Sequence, residues 1–342
     1  MPAVTSGKVL VTGANGYIAV WVVKTFLDQG FSVRGTVRSE NKAGHLRSLF
    51  KDFGDKFEVV VVEDITKDGA FDEAVKGVDA IAHTASPFHL KAVEPEELIV
   101  PAVNGTTGIL ASALKNAPSV KRIVVTSSCA SVLTPSTEPR IFSEENWNDA
   151  SIAEVKEKGK DATPLAKYRT SKTLAERAAW DFWNKHKSEV SWDLVVLNPP
   201  FVFGPFLHDV DKPENLNESA REFYDTVVKG TKDKTALVNL GSSYVDVRDL
   251  ALAHALAITK QEASGNRIIV SAGAFKWQDF VSAAHKYYSS LPAGNTEYDP
   301  AKATHFLRYA PEKQQRLLGI KFKTVEETTK DTLDDFKARG WL

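Results

Sequence analysis

Lys8-Val9-Leu10-Val11-Thr12-Gly13-Ala14-Asn15-Gly16-Tyr17-Ile18-Ala19 decides how this chain is read. A short β-branched run ends in a glycine-rich turn, and a helix-compatible segment follows. Gly13 allows a tight strand-to-helix turn. Gly16 lets the backbone approach a pyrophosphate, whose charge suits the free N–H groups of a helix N-terminus. Ala19 stands at the third small position, where a methyl group still permits close packing of helix on strand. A bare glycine triplet is weak evidence, but strand before and helix after supply the context that a dinucleotide site requires.

Outward from this turn, the same alternation continues. Strand-like runs recur at Ser32–Val37, Phe57–Val62, Asp79–Thr84, Arg122–Thr126 and Trp192–Leu197, with helical patterns at roughly 16–29, 98–116 and 164–187. Near-continuous apolar runs read as strands buried on both faces, and their alternation with helices reads as βαβ units. The fold class expected is α/β, a Rossmann-type doubly wound parallel sheet. After Pro199-Pro200 the pattern loosens over 204–240, Arg267–Val270 reads as a last strand, and the chain from about 275 is helical and polar. The expected organisation is a dinucleotide domain of 1–199 and about 241–275, with a smaller discontinuous substrate-binding cap from about 200–240 and 276–342.

Composition narrows the function classes. Lys and Arg number 43 and Asp and Glu 44, so the net charge of -1 offers no general surface for nucleic acid. The single cysteine, Cys129, excludes an internal disulfide and a cysteine-based zinc site, fits a reducing compartment and reads as a small buried filler. No run reaches the roughly 18 apolar residues of a membrane span. The N-terminus shows no signal-peptide pattern, so a cytoplasmic location is expected. Asn104-Gly105-Thr106 and Asn217-Glu218-Ser219 match a glycosylation triplet by chance. The histidines show no ligand spacing, so no metal is expected, and His83 reads as a strand-end residue contacting main chain. Trp147, Trp180 and Trp183 read as packing residues. Nothing in the composition fixes an oligomeric state.

The end of the second strand bears on which dinucleotide binds. An NAD site places an acid about 20 residues past the first glycine. Residues 31–39 hold no acid but do hold Arg34 and Arg38, with Lys42 a turn further. A guanidinium forks onto a 2′-phosphate that a carboxylate would repel. NADP(H) is therefore expected, with Arg38 as lead contact and Lys42 in support. The alternative for each cation is a solvated surface.

Tyr168-Arg169-Thr170-Ser171-Lys172 spaces a phenol and an ammonium by four residues, on one helix face. A nearby cation favours the phenolate and would lower the Tyr168 pKa for proton transfer to a carbonyl oxygen. The same spacing at Tyr298/Lys302 and Tyr309/Lys313 is interrupted by Pro300 and Pro311, so neither of those pairs should share a helix face. Thr126-Ser127-Ser128 ends a strand where open parallel sheets bind ligands. Ser128 could donate to a developing alkoxide, with Ser127 nearer the cofactor, or both could cap the turn. There is no Gly-x-Ser-x-Gly elbow for a serine hydrolase.

Taken with Glu63-Asp64, His83-Thr84-Ala85-Ser86-Pro87, Asn104-Gly105-Thr106 and Asn198-Pro199-Pro200-Phe201-Val202-Phe203-Gly204-Pro205, these residues resemble the extended short-chain dehydrogenase/reductase family over nearly the whole chain. Within it the chain is similar to the dihydroflavonol-reductase-like branch, most of all its fungal NADPH-dependent aldehyde and ketone reductases of the methylglyoxal type. The resemblance implies Tyr168 as proton donor, Lys172 on the nicotinamide ribose and Ser128 orienting the carbonyl. It places Asn104 where relatives keep an active-site Asn. It puts Gly13, Asn15, Gly16, Tyr17 and Ile18 along the cofactor. Asp64 and Ile65 would line the adenine, Ala85 would lie under the riboses, and Pro199 and Val202 would flank the nicotinamide. Phe88, Phe206 and Tyr224 are candidates for the substrate pocket. The expected activity is NADPH-dependent reduction of small-molecule carbonyl compounds. Its alternatives are a nucleotide-sugar epimerase or dehydratase of the same fold and a non-catalytic NADP-binding regulator.

The cofactor reading has a direct test. Arg38→Ala should weaken NADPH binding by about 1.5–3 kcal/mol, the value of a hydrogen bond to a charged group, and leave NADH binding nearly unchanged. Equal losses for the two nucleotides, measured by fluorescence titration, would take Arg38 off the 2′-phosphate.

Overall fold

A computed structural model describes residues 3–86 and 92–342. Its strands are β1 (Lys8–Thr12), β2 (Ser32–Val37), β3 (Phe57–Val61), β4 (Ala80–His83), β5 (Arg122–Thr126), β6 (Arg140–Phe142), β7 (Asp193–Asn198), β8 (Phe201–Phe203), β9 (Gly241–Asp246), β10 (Arg267–Ile269), β11 (Gly273–Lys276) and β12 (Leu307–Tyr309). Its α-helices are α1 (Tyr17–Asp28), α2 (Ala43–Leu49), α3 (Glu96–Asn116), α4 (Asp149–Lys158), α5 (Pro164–His186), α6 (Glu218–Phe223), α7 (Lys234–Asn239), α8 (Val247–Thr259), α9 (Trp277–Tyr287), α10 (Glu312–Leu317) and α11 (Val325–Ala338).

Seven strands form one parallel sheet in the order β10-β7-β5-β4-β1-β2-β3. This is the doubly wound Rossmann arrangement, with its switch point between β1 and β4. Successive side chains of a strand point to opposite faces. Val9, Val11, Val124, Val195 and Leu197 accordingly pack into the layer that holds α1 and α8. Leu10, Ile81, Ile123, Val125, Leu194 and Val196 pack into the opposite layer, with α3 and α5. By length and mean hydropathy α3 passes for a membrane-spanning segment, although Asn104, Thr106, Thr107 and Ser112 interrupt its apolar residues. Here it is a helix of the sheet's flank: Leu98, Ala102, Ile109, Leu110 and Ala113 are all buried.

A smaller sheet, β11-β9-β8, lies beyond Pro199-Pro200 and is covered by α9 and α11. The sequence expectation assigned 241–275 to the dinucleotide domain, but the chain divides that segment. Strands β9 and β11 belong to the small sheet, whereas α8 packs on α1 and β10 extends the large sheet. Strands β6 and β12 pair separately.

One buried ion pair ties the far end of the large sheet together. Arg122 of β5 and Asp193 of β7 stand side by side, their side chains 0% and 2% exposed. The guanidinium forks onto the carboxylate, Nε to Oδ1 at 2.6 Å and Nη2 to Oδ2 at 2.8 Å. Its Nη1 donates to the carbonyls of Ala257 and Lys260, capping the C-terminal end of α8. Asp193→Ala leaves this guanidinium buried and unpaired. It should cost about 3–5 kcal/mol of unfolding free energy in urea titration, and a loss under ~1 kcal/mol would deny the pair its structural weight.

Candidate active site

Both ends of the candidate cleft are built at the carboxyl edge of the large sheet. The turn after β1 needs glycine for two reasons. Gly13 has φ +66°, and a Cβ there would come within 3.2 Å of the Ala85 side chain. One half of the cleft is lined by Asn15, Arg38, Ser39, Lys42, Asp64, Ile65 and Ala85, around ≈ 740 Å³. The other half is lined by Ile18, Ser127, Ser128, Tyr168, Lys172, Pro199 and Val202, around ≈ 280 Å³. The halves meet at Gly13, Gly16, Thr84 and Ser86, on either side of the switch point. Together they offer room for a dinucleotide-sized ligand.

Helix α5 presents the phenol and ammonium because of how it starts. Pro164 takes the first helical position, and the Thr163 hydroxyl accepts from the Ala166 N–H at 3.1 Å. Tyr168 and Lys172 follow on successive turns, half-buried on one face. Tyr298 and Lys302 share no α-helix, and Tyr309 lies in β12 while Lys313 lies in α10. The Ser128 hydroxyl hydrogen-bonds the Tyr168 phenol and accepts from the Ala130 N–H at 3.1 Å. Lys172 Nζ donates to Ser86 Oγ at 3.0 Å.

The electrostatics differ from the sequence expectation at Tyr168. Burial raises its pKa, and the Ser128 hydrogen bond opposes that rise. A raised value keeps the phenol protonated at neutral pH, which suits a proton donor. Lys172 is itself pushed down to about 8 by burial, against the pull of the Glu176 carboxylate. Asp64 is held below the usual carboxylate range by its bonds from the Thr66 hydroxyl and N–H.

Other expected residues find different places. Arg34 turns away from the cleft, pairing with Glu58 directly across from it on β3 and donating to the Ala74 and Lys76 carbonyls. Tyr17 does line the cleft, and its hydroxyl donates to the Gly204 carbonyl at 2.9 Å. Ser127, although it lines the cleft, donates its hydroxyl proton to the buried Glu176. Asn104 is on the exposed side of α3, whose neighbouring Gly105 abuts Ile65; it is not among the residues lining the cleft. Phe206 stacks on Phe336, and Tyr224 packs edge-on against the same ring and donates to the Trp341 carbonyl. Both are buried in the small lobe's aromatic core rather than on the cleft. Phe88 lies outside the described residues.

His83 does end a strand, but it meets a side chain rather than main chain. The Thr12 hydroxyl accepts from the N–H groups of Thr84 and Ala85, so its own proton goes to His83 Nδ1 at 3.0 Å. Burial pushes His83 down to about 3 and keeps it neutral. Asn217, Glu218 and Ser219 also line the half of the cleft that holds Tyr168 and Lys172. Sequence reading passed over them as part of a chance glycosylation triplet in a loop-rich segment. Only their position at the start of α6 brings them to the site.

Comparison with known proteins accords with this geometry. Residues 9–273 match the model of the NAD dependent epimerase/dehydratase family. The ketoreductase azaE of Aspergillus niger is 36% identical over 335 residues, covering 95% of this chain and 96% of that one. The NADPH-dependent methylglyoxal reductase GRE2 of Saccharomyces cerevisiae is 36% identical over 338 residues, at 95% and 96% coverage. The crystal structure of the yeast methylglyoxal/isovaleraldehyde reductase Gre2 with NADPH superposes with a TM-score of 0.85 at 34% identity, over 98% of this chain and 100% of that one. The chain belongs to the NAD dependent epimerase/dehydratase family. Among its members it is similar to these fungal reductases along nearly its whole length.

A lysine that loses its proton near pH 8 sets an alkaline limit. Above that value the ammonium becomes neutral, so any role it has as a cation towards a bound cofactor is lost. The kcat/KM for NADPH should therefore fall as pH rises through about 8. A profile flat to about pH 10 would remove Lys172 from this role.

Proposed function

We propose that this protein is an NADPH-dependent carbonyl reductase that converts aldehydes and ketones to alcohols. The observation that carries the reading is the convergence of Ser128, Tyr168 and Lys172 at one end of a cleft whose other end carries Arg38 and Lys42. The residues present suit the dinucleotide. The Gly13–Gly16 turn packs so closely that a Cβ on either glycine would crowd its neighbours, Arg38 and Lys42 offer cations suited to a 2′-phosphate, and residues 31–39 hold no acid. That last feature disfavours the NAD-retaining epimerase reading. The intact hydroxyl, phenol and ammonium disfavour a non-catalytic regulator.

When bound, NADPH supplies a hydride to the carbonyl carbon. Tyr168 donates the proton that the carbonyl oxygen takes up. Ser128 holds that oxygen by a hydrogen bond and orients it towards the phenol. Lys172 binds the nicotinamide ribose and places positive charge beside the developing alkoxide. Arg38 and Lys42 hold the 2′-phosphate. Gly13, Asn15, Gly16 and Ile18 form the pyrophosphate cradle, while Asp64 and Ile65 bound the adenine and Ala85 the riboses. Pro199 and Val202 flank the nicotinamide. The small lobe beyond Pro200 closes the substrate side. Small aldehydes and dicarbonyls of the kind named for the fungal relatives are the substrates to try first. A cytoplasmic setting is in keeping with the buried free thiol of Cys129.

Tyr168→Phe removes the proton and little else. Its turnover should fall by about 10²–10⁴-fold, the range of a lost general acid, with NADPH affinity within a few-fold of wild type. The assay is NADPH consumption in near-ultraviolet absorbance with methylglyoxal, isovaleraldehyde and a series of ketones, NADH being run in parallel. Undiminished turnover in the variant would sink the assignment.

A further inference from the structure

One turn beyond Lys172 on the same helix is a carboxylate that the proposed chemistry does not use. Glu176 is only 1% exposed. We infer that Glu176, paired with Arg267, is a positioning residue that holds the Ser128 segment in register with Tyr168 and Lys172; this rests on the reductase reading above.

Tyr168, Lys172 and Glu176 recur at intervals of four, so they project from one face of α5. The Glu176 carboxylate sits beneath the loop that carries Ser128. Its Oε2 accepts from Ser127 Oγ at 2.6 Å, from Asn198 Nδ2 at 2.8 Å and from the Ser131 hydroxyl. Its Oε1 accepts from Arg267 Nε. The residues immediately before and three after Ser128 are thus both pinned to one carboxylate. Asn198 adds a further bridge, since its Nδ2 also donates to the Ser128 carbonyl at 3.2 Å. The Ser131 hydroxyl donates to the same carbonyl at 2.8 Å, sharing its proton with Glu176. The backbone that carries the Ser128 hydroxyl therefore cannot shift without breaking contacts to Glu176.

Arg267 anchors the carboxylate in turn. Its Nη2 donates to the Ser131 carbonyl at 3.2 Å, its Nη1 to the Glu144 carbonyl at 3.1 Å, and its guanidinium lies 3.7 Å from the Trp147 ring. The network joins the carboxyl ends of β5 and β7 and the start of β10 to α5, the four elements that must agree for phenol and hydroxyl to meet. A buried ion pair is weak evidence for stability, because an apolar replacement of similar volume often folds as well. A role in geometry accounts for this one. It also places a carboxylate one helical turn from the Lys172 ammonium, whose other neighbours His83 and Ser86 carry no charge.

Three variants test this, each assayed for kcat, KM, NADPH affinity by fluorescence and melting temperature. Glu176→Gln keeps the shape but takes from Arg267 its only carboxylate partner among the described residues. Glu176→Gln with Arg267→Met removes both charges and restores a neutral core. Ser131→Ala cuts one anchor with little risk to folding. The expected result is a fall in kcat of about 10- to 100-fold for the Glu176 variants, the loss that a misplacement of about 1 Å produces, and a smaller fall for Ser131→Ala. NADPH affinity should stay within a few-fold throughout, and kcat should stay low in the double variant even where its melting temperature recovers. Recovery of kcat together with melting temperature in the double variant would make the pair purely structural and overturn the inference. So would wild-type kcat in both Glu176→Gln and Ser131→Ala. Tyr168→Phe, run beside them, separates the two failures. If it is inactive while the Glu176 variants are normal, only this inference falls; if it too is fully active, the reductase reading falls and takes the inference with it.

Discussion

At the centre of the large sheet, three chain segments meet with almost no space between them. Strand β1 lies between β2 and β4, and all three end at the same edge. A Cβ on Gly35 would stand 2.8 Å from the Ala14 side chain, and one on Gly13 would crowd Ala85. Thr12 stitches the edge together by accepting from two amides after β4. Small residues at the crossing let the turn after β1 lie flat against its neighbours, which leaves its amides open to a ligand rather than covered by side chains. The position of everything else in the site, from α1 to the Ser128 loop, is measured from this crossing.

The large sheet was legible in the sequence because strands buried on both faces must be apolar throughout, and seven such runs are hard to mistake. The helix that carries Tyr168 and Lys172 was legible for a related reason: its capping residue, its first proline and its four-residue spacing are all local. The small lobe was not. Strands β8, β11 and β12 are three or four residues long, too short for a period to show. Helices α6 and α7 have six residues each and rest on tertiary contacts.

What the sequence left open in the site has one cause, that a side chain's type does not tell which way it faces. Arg34 and Arg38 are both cations near the same strand, but Arg34 lies directly opposite Glu58 in the sheet, a pairing that register alone determines. Phe206 and Tyr224 are aromatic residues of the variable lobe, as a pocket residue would be, yet they pack on Phe336, more than a hundred residues away in sequence. Asn104 matched a pattern while its helix turned it outwards. Nothing in the alanine-rich segment around Glu176 marks that residue as buried; its burial depends on β5, β7 and β10 being in place.

The contacts of Tyr17 and Trp21 carry a consequence for how such enzymes diversify. Both residues belong to the helix that opens at the glycine-rich turn, and both hydrogen-bond carbonyls of the opposite lobe, those of Gly204 and Pro205. The segment after Pro205 is therefore moored at its root to the most constrained part of the molecule. Its outer course can lengthen, shorten or change composition while its origin stays fixed. Such an arrangement separates what must be inherited unchanged from what is free to vary, so that one nucleotide-binding chassis can be refitted for new partners without being rebuilt.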